Sequence, residues 1–217
     1  MNKLKTDSFG THRPCLIDLV KNTTGNIIEF GCGNSSTILI KDLIKNTDRK
    51  LISLESNLEW LNKFKHLEDD NHKLFHIKAG TLDNDATGKI WIDFIKNNKL
   101  INNLDFEVCF IDQSPWTART HALNYFKDKI PYIIVHDVDY FPVHNKWGKA
   151  VQITAPEGKK VYNMDFSDIV KHYRVYYPPL EYFAGPTGPP TLLCSSVLND
   201  TEFNKMCENI NYEKYYS

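Results

Sequence analysis

Between Asn26 and Asp137 the chain alternates five short apolar runs with segments of helical periodicity. The runs are four to eight residues long and predict buried strands, and the intervening segments place apolar residues three or four positions apart. Two further apolar runs follow after a long gap. Strands are predicted at residues 26–30, 50–55, 74–78, 106–112, 131–137, 173–177 and 191–197. The alternation predicts an α/β fold with a mostly parallel sheet.

The helical segments complete this outline. The first helix is predicted to begin near Arg13, and a regular apolar recurrence from Leu58 to Leu67 predicts another after the second strand. Residues 90–104 predict a helix and a loop, and residues 165–172 predict a short helix. A length of 217 residues suits one domain. We expect an N-terminal helical cover at 1–23, a core at 24–198 and a C-terminal tail at 199–217.

Composition limits the partners and the compartment. The formal net charge is -1, which argues against a protein that holds nucleic acid through its phosphates. The sequence contains no run of 18 apolar residues, so no membrane span is predicted. The polar N-terminus lacks the apolar core of a signal peptide. The five cysteines are odd in number and scattered, which favours reduced thiols in a cytoplasmic protein. The sequence gives no indication of an oligomeric state.

The end of the first predicted strand carries the most specific motif. Gly31 and Gly33 follow the strand directly, permit a tight turn and let a ligand approach the backbone. In the dinucleotide-binding fingerprint GxGxxG/A, the last position is Gly or Ala, but this chain has Ser36 there. Glu29, inside the strand, suits a ligand with a cationic amino-acid end. Glu55 ends the second strand, where a carboxylate accepts hydrogen bonds from ribose hydroxyls.

This pattern of Glu29, Gly31, Gly33 and Glu55 resembles the cofactor motif of class I S-adenosylmethionine (SAM) dependent methyltransferases. The resemblance extends over about residues 24–198 and implies a Rossmann-like, doubly wound sheet of seven strands, mostly parallel, with the last strand antiparallel. It also implies that Glu29 lies near the methionine end of SAM and that Glu55 binds the ribose. The cofactor residues implied are Glu29, Gly31, Cys32, Gly33, Asn34, Ser35, Ser36, Glu55, Ser56 and, toward adenine, Asp83.

Polar residues also end the fourth and fifth strands, at the sheet edge where open parallel sheets bind ligands. Asp112 ends the fourth strand, and His136 and Asp137 end the fifth. Methylation of a hydroxyl requires removal of its proton. A histidine of near-neutral pKa serves as the base, or a cation held by carboxylates lowers the hydroxyl pKa. We therefore predict Asp112, His136 and Asp137 as catalytic residues.

Two family likenesses refine this prediction. Asp112 and Asp137 resemble the Mg²⁺ ligands of metal-dependent O-methyltransferases, with Asp139 as a substitute third ligand because Val138 stands where those families have Asn. Phe-Ile-Asp112, then Arg119 after a short loop, then Ile-Val-His-Asp137, is similar to small-molecule and sugar O-methyltransferases of the macrocin type.

The leading hypothesis is methyl transfer from SAM to a hydroxyl of a small molecule or glycan, with a sugar as the first candidate. The alternatives are a nucleic-acid amino-methyltransferase, an NAD-dependent oxidoreductase and a non-catalytic SAM-binding domain. The Asp-Gln-Ser-Pro-Trp116 run only partly matches the amino-methyltransferase motif. We expect the segment from Thr11 to Arg13 and the Gly/Pro-rich loop at 178–190 to flank the cleft.

Overall fold

The structure is a computed structural model, and it describes residues 8–141, 147–154, 160–178, 188–212 and 215. The strands in this part of the chain are β1 (Asn26–Phe30), β2 (Leu51–Glu55), β3 (His72–His76), β4 (Phe106–Ile111), β5 (Tyr132–His136), β6 (Lys149–Thr154), β7 (Lys160–Asp165), β8 (His172–Tyr176) and β9 (Thr191–Ser195). The helices are α1 (Arg13–Lys21), α2 (Thr37–Ile44), α3 (Leu58–Asn62), α4 (Asp85–Asn97), α5 (Lys99–Asn102), α6 (Trp116–Phe126) and α7 (Asp200–Asn209).

Seven strands form the main sheet, in the order β3-β2-β1-β4-β5-β9-β8. Strands β1 to β5 run parallel, and β9 runs antiparallel to both of its neighbours. The chain therefore builds outward from β1 to β3 and then returns to place β4 on the other side of β1. The order reverses between β1 and β4, which opens a crevice at the carboxyl ends of these strands. The predicted fold, with its antiparallel last strand, is confirmed.

Both faces of the sheet are covered, because successive strand residues point to opposite faces and both sets are apolar. Ile27 and Ile28 are each fully buried, but they belong to different core clusters. Helices α1, α2 and α7 pack on the face of Ile27, and α4 and α6 pack on the face of Ile28. The crevice is thus bounded by helices on both sides.

One local prediction is wrong, and two features of the structure were not predicted. The apolar pattern at residues 165–172 predicts a helix, but Asp165 ends β7, a turn follows and β8 begins at His172. The hairpin of β6 and β7 was not predicted, because its polar, lysine-containing strands lack a marked apolar alternation. The segment predicted as a C-terminal tail contains α7, whose start is fixed by a capping box between Asn199 and Glu202.

The C-terminal segment also holds the N-terminal cover in place. The hydroxyl of Tyr212 donates to the main-chain oxygen of Thr11 at 2.9 Å. The buried carboxylate of Asp18 accepts from the backbone N–H of Asn211 at 3.0 Å and from the hydroxyl of Tyr215 at 2.6 Å. These contacts fix α1 and the residues before it against the core, at the crevice end of the sheet.

All five cysteines are buried and free of disulfides. Among the described helices, none has the length and apolar character needed to cross a membrane.

Candidate functional site

The turn from β1 into α2 requires glycine at its first position. Gly31 has a φ of 87°, in the region that side chains disfavour. A Cβ on Gly31 would lie 2.8 Å from backbone atoms of Asp112 and Gln113, so the turn fits tightly against the end of β4. Gly33 donates its N–H to Thr37 Oγ1 at 2.9 Å as α2 begins. This glycine loop therefore lies at the reversal point of the strand order.

A pocket of about 330 Å³ opens above the glycine loop. The loop residues Cys32, Gly33, Asn34, Ser35 and Ser36 form one wall, as the sequence predicts for a cofactor pocket. The remaining walls come from Phe9, His12, Trp60 and Asp112. The structure thus brings the glycine loop, the N-terminal cover and the end of β4 together around one cavity.

Glu55 lies beside this loop at the end of β2. Its Oε2 accepts from the backbone N–H of Cys32 at 3.1 Å, and its Oε1 accepts from that of Asn57 at 2.7 Å. Ser56, also predicted as a cofactor residue, is half-buried next to it. Trp60 donates its indole N–H to the main-chain oxygen of Cys32 at 2.7 Å and places its ring against the pocket. Trp60 was not predicted as a site residue, because an apolar position on a helix does not distinguish it from a core residue.

Glu29 supports the loop from inside instead of facing the pocket. Its carboxylate is fully buried and accepts from Thr37 Oγ1 at 2.9 Å and from Ser53 Oγ at 2.6 Å. Burial raises the pKa of Glu29 to about 7 in spite of these donors. The side chain lies beneath the loop, and its position near the amino-acid end of the ligand stays a prediction. Strand alternation turns its side chain under α2, where it fixes the start of that helix.

Asp83 lies in the loop after β3. It is exposed, and its carboxylate accepts from the backbone N–H of Thr117 at 2.7 Å. That contact ties the loop to the first turn of α6 and leaves the predicted adenine contact untested.

Arg119 organises the ends of β4 and β5. Its guanidinium donates to the main-chain oxygens of Gln113 at 2.7 Å, His136 at 2.8 Å and Asp112 at 3.2 Å. It also pairs with the carboxylates of Asp112 at 2.9 Å and Asp137 at 3.3 Å. The side chain is 7% exposed. In the sequence, Arg119 was named only as part of the likeness to macrocin-type O-methyltransferases. Its distance along the chain from Asp112 and Asp137 does not indicate that this helix residue contacts the ends of two strands.

Hydrogen-bond geometry fixes the protons of His136. Thr11 Oγ1 donates to the main-chain oxygen of Pro189 at 2.6 Å, so it accepts from His136 Nε2 at 2.8 Å. His136 Nδ1 faces the Asp112 carboxylate at 3.3 Å. Burial alone would lower the pKa of His136, but the carboxylates of Asp112 and Asp137 outweigh it and raise the pKa. Nε2 faces Thr11 Oγ1 and Nδ1 faces the Asp112 carboxylate, so both ring nitrogens face acceptors, and the role of His136 as a base stays a prediction.

Asp112 is the predicted catalytic residue that faces the pocket. Burial alone would raise its pKa, but the charges of His136 and Arg119 outweigh burial and lower the pKa to about 2. Asp112 Oδ1 contacts both Arg119 and His136, while Oδ2 receives no hydrogen-bond donor among the described residues. An ionised carboxylate oxygen is thus available at the pocket wall.

Asp137 differs from Asp112 in its backbone conformation, and Asp139 differs from Asp112 in the direction of its pKa shift. Asp137 adopts a φ of 53°, which Asp tolerates better than most residues, and its carboxylate lies beside Arg119 and His136. The pKa of Asp139 is raised by burial and by Asp137.

A Mg²⁺ ion held by Asp112, Asp137 and Asp139 does not fit this arrangement. The Arg119 guanidinium already lies between the first two carboxylates. Within the described residues, the group of three close enough to share an ion is His12, Asp112 and His136.

Aromatic residues lie next to Arg119 and the carboxylates that it contacts. Trp116 stacks on Tyr140 with ring centroids 3.9 Å apart, and the Arg119 guanidinium lies 4.2 Å from the Trp116 ring. The loop at 178–190 was predicted as a wall of the cleft, but residues 179–187 lie outside the described part of the chain.

Comparison with protein-family models and with curated proteins finds no match. Among solved structures, a spermidine synthase in complex with the transition-state analogue AdoDATO has a TM-score of 0.54 and 12% identity over 99% of this chain. Spermidine synthase from Thermotoga maritima has a TM-score of 0.51 and 14% identity over 95% of this chain. The chain spans 67% and 62% of the lengths of these two proteins. Likenesses at such identities concern the fold alone: this chain has a Rossmann-like, doubly wound, seven-stranded sheet.

Proposed function

We propose that the pocket above the glycine loop binds SAM and that the protein transfers the methyl group of SAM to an acceptor. The observation that carries this proposal is the meeting of the glycine loop and the ionised Asp112 carboxylate, at the end of β4, around one cavity. The Glu55 carboxylate, at the end of β2, lies behind this loop and accepts from the backbone N–H of Cys32. The backbone N–H groups and Glu55 suit the ribose of a nucleoside, and Asp112 suits a cation.

The charge of the pocket favours SAM over a dinucleotide. SAM carries a sulfonium and an ammonium group and lacks phosphates, so an ionised Asp112 attracts it. The pyrophosphate of NAD would lie near the same carboxylate and be repelled. Ser36, at the start of α2, also departs from the dinucleotide fingerprint. NAD-dependent oxidation is therefore the weaker alternative.

Bound SAM supplies an electrophilic methyl group, so the protein has to orient the acceptor and receive one proton. Asp112 Oδ2 is placed to accept a hydrogen bond from an acceptor hydroxyl at the pocket wall. A carboxylate of such low pKa is a weak base, so it takes the proton late, when the new C–O bond has made that proton strongly acidic. Arg119 and His136 keep Asp112 ionised and oriented.

The acceptor we propose is a hydroxyl of a small molecule or glycan, with a sugar as the first candidate. The Oδ2 atom of Asp112 supports a hydroxyl acceptor, because an ionised carboxylate oxygen without a donor accepts a hydrogen bond from a hydroxyl. An amine is the second candidate, since the Asp112 carboxylate also suits an ammonium group. A cytoplasmic location belongs to the same proposal and is supported by the five buried, free cysteines.

A labelled-methyl assay tests the proposal. The purified protein is incubated with methyl-labelled SAM and separate panels of sugars, amines, DNA and RNA. We expect transfer to a sugar, and a loss of about 100-fold or more in turnover for Asp112→Asn, which keeps the shape but removes the charge. Asp105→Asn, at an exposed position before β4, serves as the matched control. Transfer to nucleic acid only, no transfer at all, or full turnover by Asp112→Asn would contradict the proposal.

A further inference from the structure

Two histidines and one carboxylate converge at the inner wall of the pocket. His12 precedes α1, Asp112 follows β4 and His136 ends β5. One ring nitrogen of each histidine and one oxygen of Asp112 all lie within 4.8 Å of one another. Both histidines are almost fully buried, and Asp112 retains 24% of its side-chain surface.

Each histidine is anchored through Nε2. His12 Nε2 lies 3.3 Å from the main-chain oxygen of Ser35, and His136 Nε2 lies 2.8 Å from Thr11 Oγ1. Acceptors of this kind fix the tautomer of metal-binding histidines by taking the N–H of the nitrogen that does not bind. In both rings Nδ1 is then the nitrogen that remains for a ligand. Among the described residues, His12 Nδ1 is buried and has no hydrogen-bond partner.

We infer that His12, Asp112 and His136 form a site for a divalent transition metal such as Zn²⁺. His136 Nδ1 and Asp112 Oδ1 are 3.3 Å apart. Two ligands bound tetrahedrally to one Zn²⁺ ion are separated by about 3.4 Å, so this spacing suits a shared ion. Two imidazoles and one carboxylate favour Zn²⁺, Fe²⁺ or Co²⁺ over Mg²⁺.

The position of the site gives it an open face. His12 and Asp112 both line the pocket, so a water molecule or a ligand oxygen completes the coordination from that side. The ion takes the place of the proton between His136 Nδ1 and Asp112. Arg119 keeps its contacts with Asp137 and with Asp112 Oδ1, so Asp112 Oδ1 is shared by the guanidinium and the ion. The two carboxylates, the guanidinium and the ion sum to a charge of about +1, which favours an oxygen ligand of negative charge. The attraction of Asp112 for the cationic groups of SAM belongs to the metal-free pocket. The inference does not depend on which cofactor the pocket binds.

Metal binding is tested on the full chain after removal of metal ions with EDTA. Zn²⁺ stoichiometry is measured after gel filtration, and Co²⁺ is titrated in as a spectroscopic probe. We expect one ion per chain and the visible absorption of four- or five-coordinate Co²⁺. Loss of a hydrogen-bond partner of a metal ligand costs about 10- to 100-fold in affinity, so His12→Gln and Asp112→Asn, which alter the ligands themselves, should lose at least that much. Thr11→Val, which removes the acceptor of His136 Nε2, should fall within that range.

His66→Ala, at an exposed position, is the matched control. Asp139→Asn separates this site from the set of three aspartates. Circular dichroism without metal verifies the fold of each variant, and the isosteric Asp112→Asn carries the test if His12→Gln does not fold. Wild-type protein that binds no ion, affinity unchanged in both ligand variants, or affinity lost in Asp139→Asn but kept in His12→Gln would overturn the inference.

Discussion

Arg119→Met is expected to lower the free energy of unfolding by about 3–5 kcal/mol, because removal of one partner leaves buried charges uncompensated. Arg119 joins three main-chain oxygens and two carboxylates at the ends of β4 and β5. Methionine keeps much of the volume but none of the donors. The carboxylates of Asp112 and Asp137 then lose the guanidinium, and each keeps a contact with the His136 ring.

Chemical denaturation and thermal unfolding measure this effect. For a chain of this size the predicted loss corresponds to a fall in Tm of about 6–20 °C. Arg174→Met is the matched control, since Arg174 is exposed on β8, and it should change Tm little. An Arg119→Met variant as stable as the wild type would show that the two strand ends hold together without the guanidinium.

Glu29→Gln is expected to remove a pH dependence of stability worth about 3 kcal/mol. Burial raises the pKa of Glu29 from 4.5 to about 7 in the folded protein, so folding favours its neutral form. The stabilising contribution is complete below about pH 4.5. It declines as pH rises and is lost above about pH 7, where the buried carboxylate ionises. Relative to wild type, Glu29→Gln should therefore gain stability between pH 5 and pH 8.

The free energies of unfolding of both proteins are measured by urea denaturation across this range. Glu59→Gln, at an exposed position on α3, is the control and should follow the wild type at every pH. A constant difference between Glu29→Gln and wild type would mean that Glu29 ionises normally, and its assignment as a buried support of the loop would then be wrong.

The parts of the fold that the sequence predicted are those with a strong local signal. The first strand was predicted with the observed bounds, because an apolar run followed directly by Gly31 and Gly33 predicts a strand that ends at Phe30. The late strands were also found, although β8 and β9 pair only through long-range contacts. The hairpin of β6 and β7 and the helix α7 were missed, because polar strands and a mostly polar helix give little periodic apolar signal.

The site was predicted at its strand ends but not in its long-range partners. Glu55 and Asp112 were located because the carboxyl ends of parallel strands form the ligand edge of such a sheet. The roles of Arg119 and His12 depend on which distant residues they meet. His12 lies against His136, with ring centroids 4.5 Å apart, although 124 positions separate them. Glu29 was predicted within its strand, but its partners Thr37 and Ser53 belong to other elements and are not indicated by the local pattern.

Binding of S-adenosylhomocysteine is the measurement that tests SAM binding most directly. Thermal unfolding is recorded with and without this ligand for wild type, Glu55→Ala and the control Glu59→Ala. At 100 times its dissociation constant the ligand adds about 2.7 kcal/mol, which predicts a rise in Tm of about 5–10 °C. We predict that rise for wild type and Glu59→Ala, and its loss in Glu55→Ala. No rise in wild type, or a rise with NAD instead, would contradict the proposed cofactor.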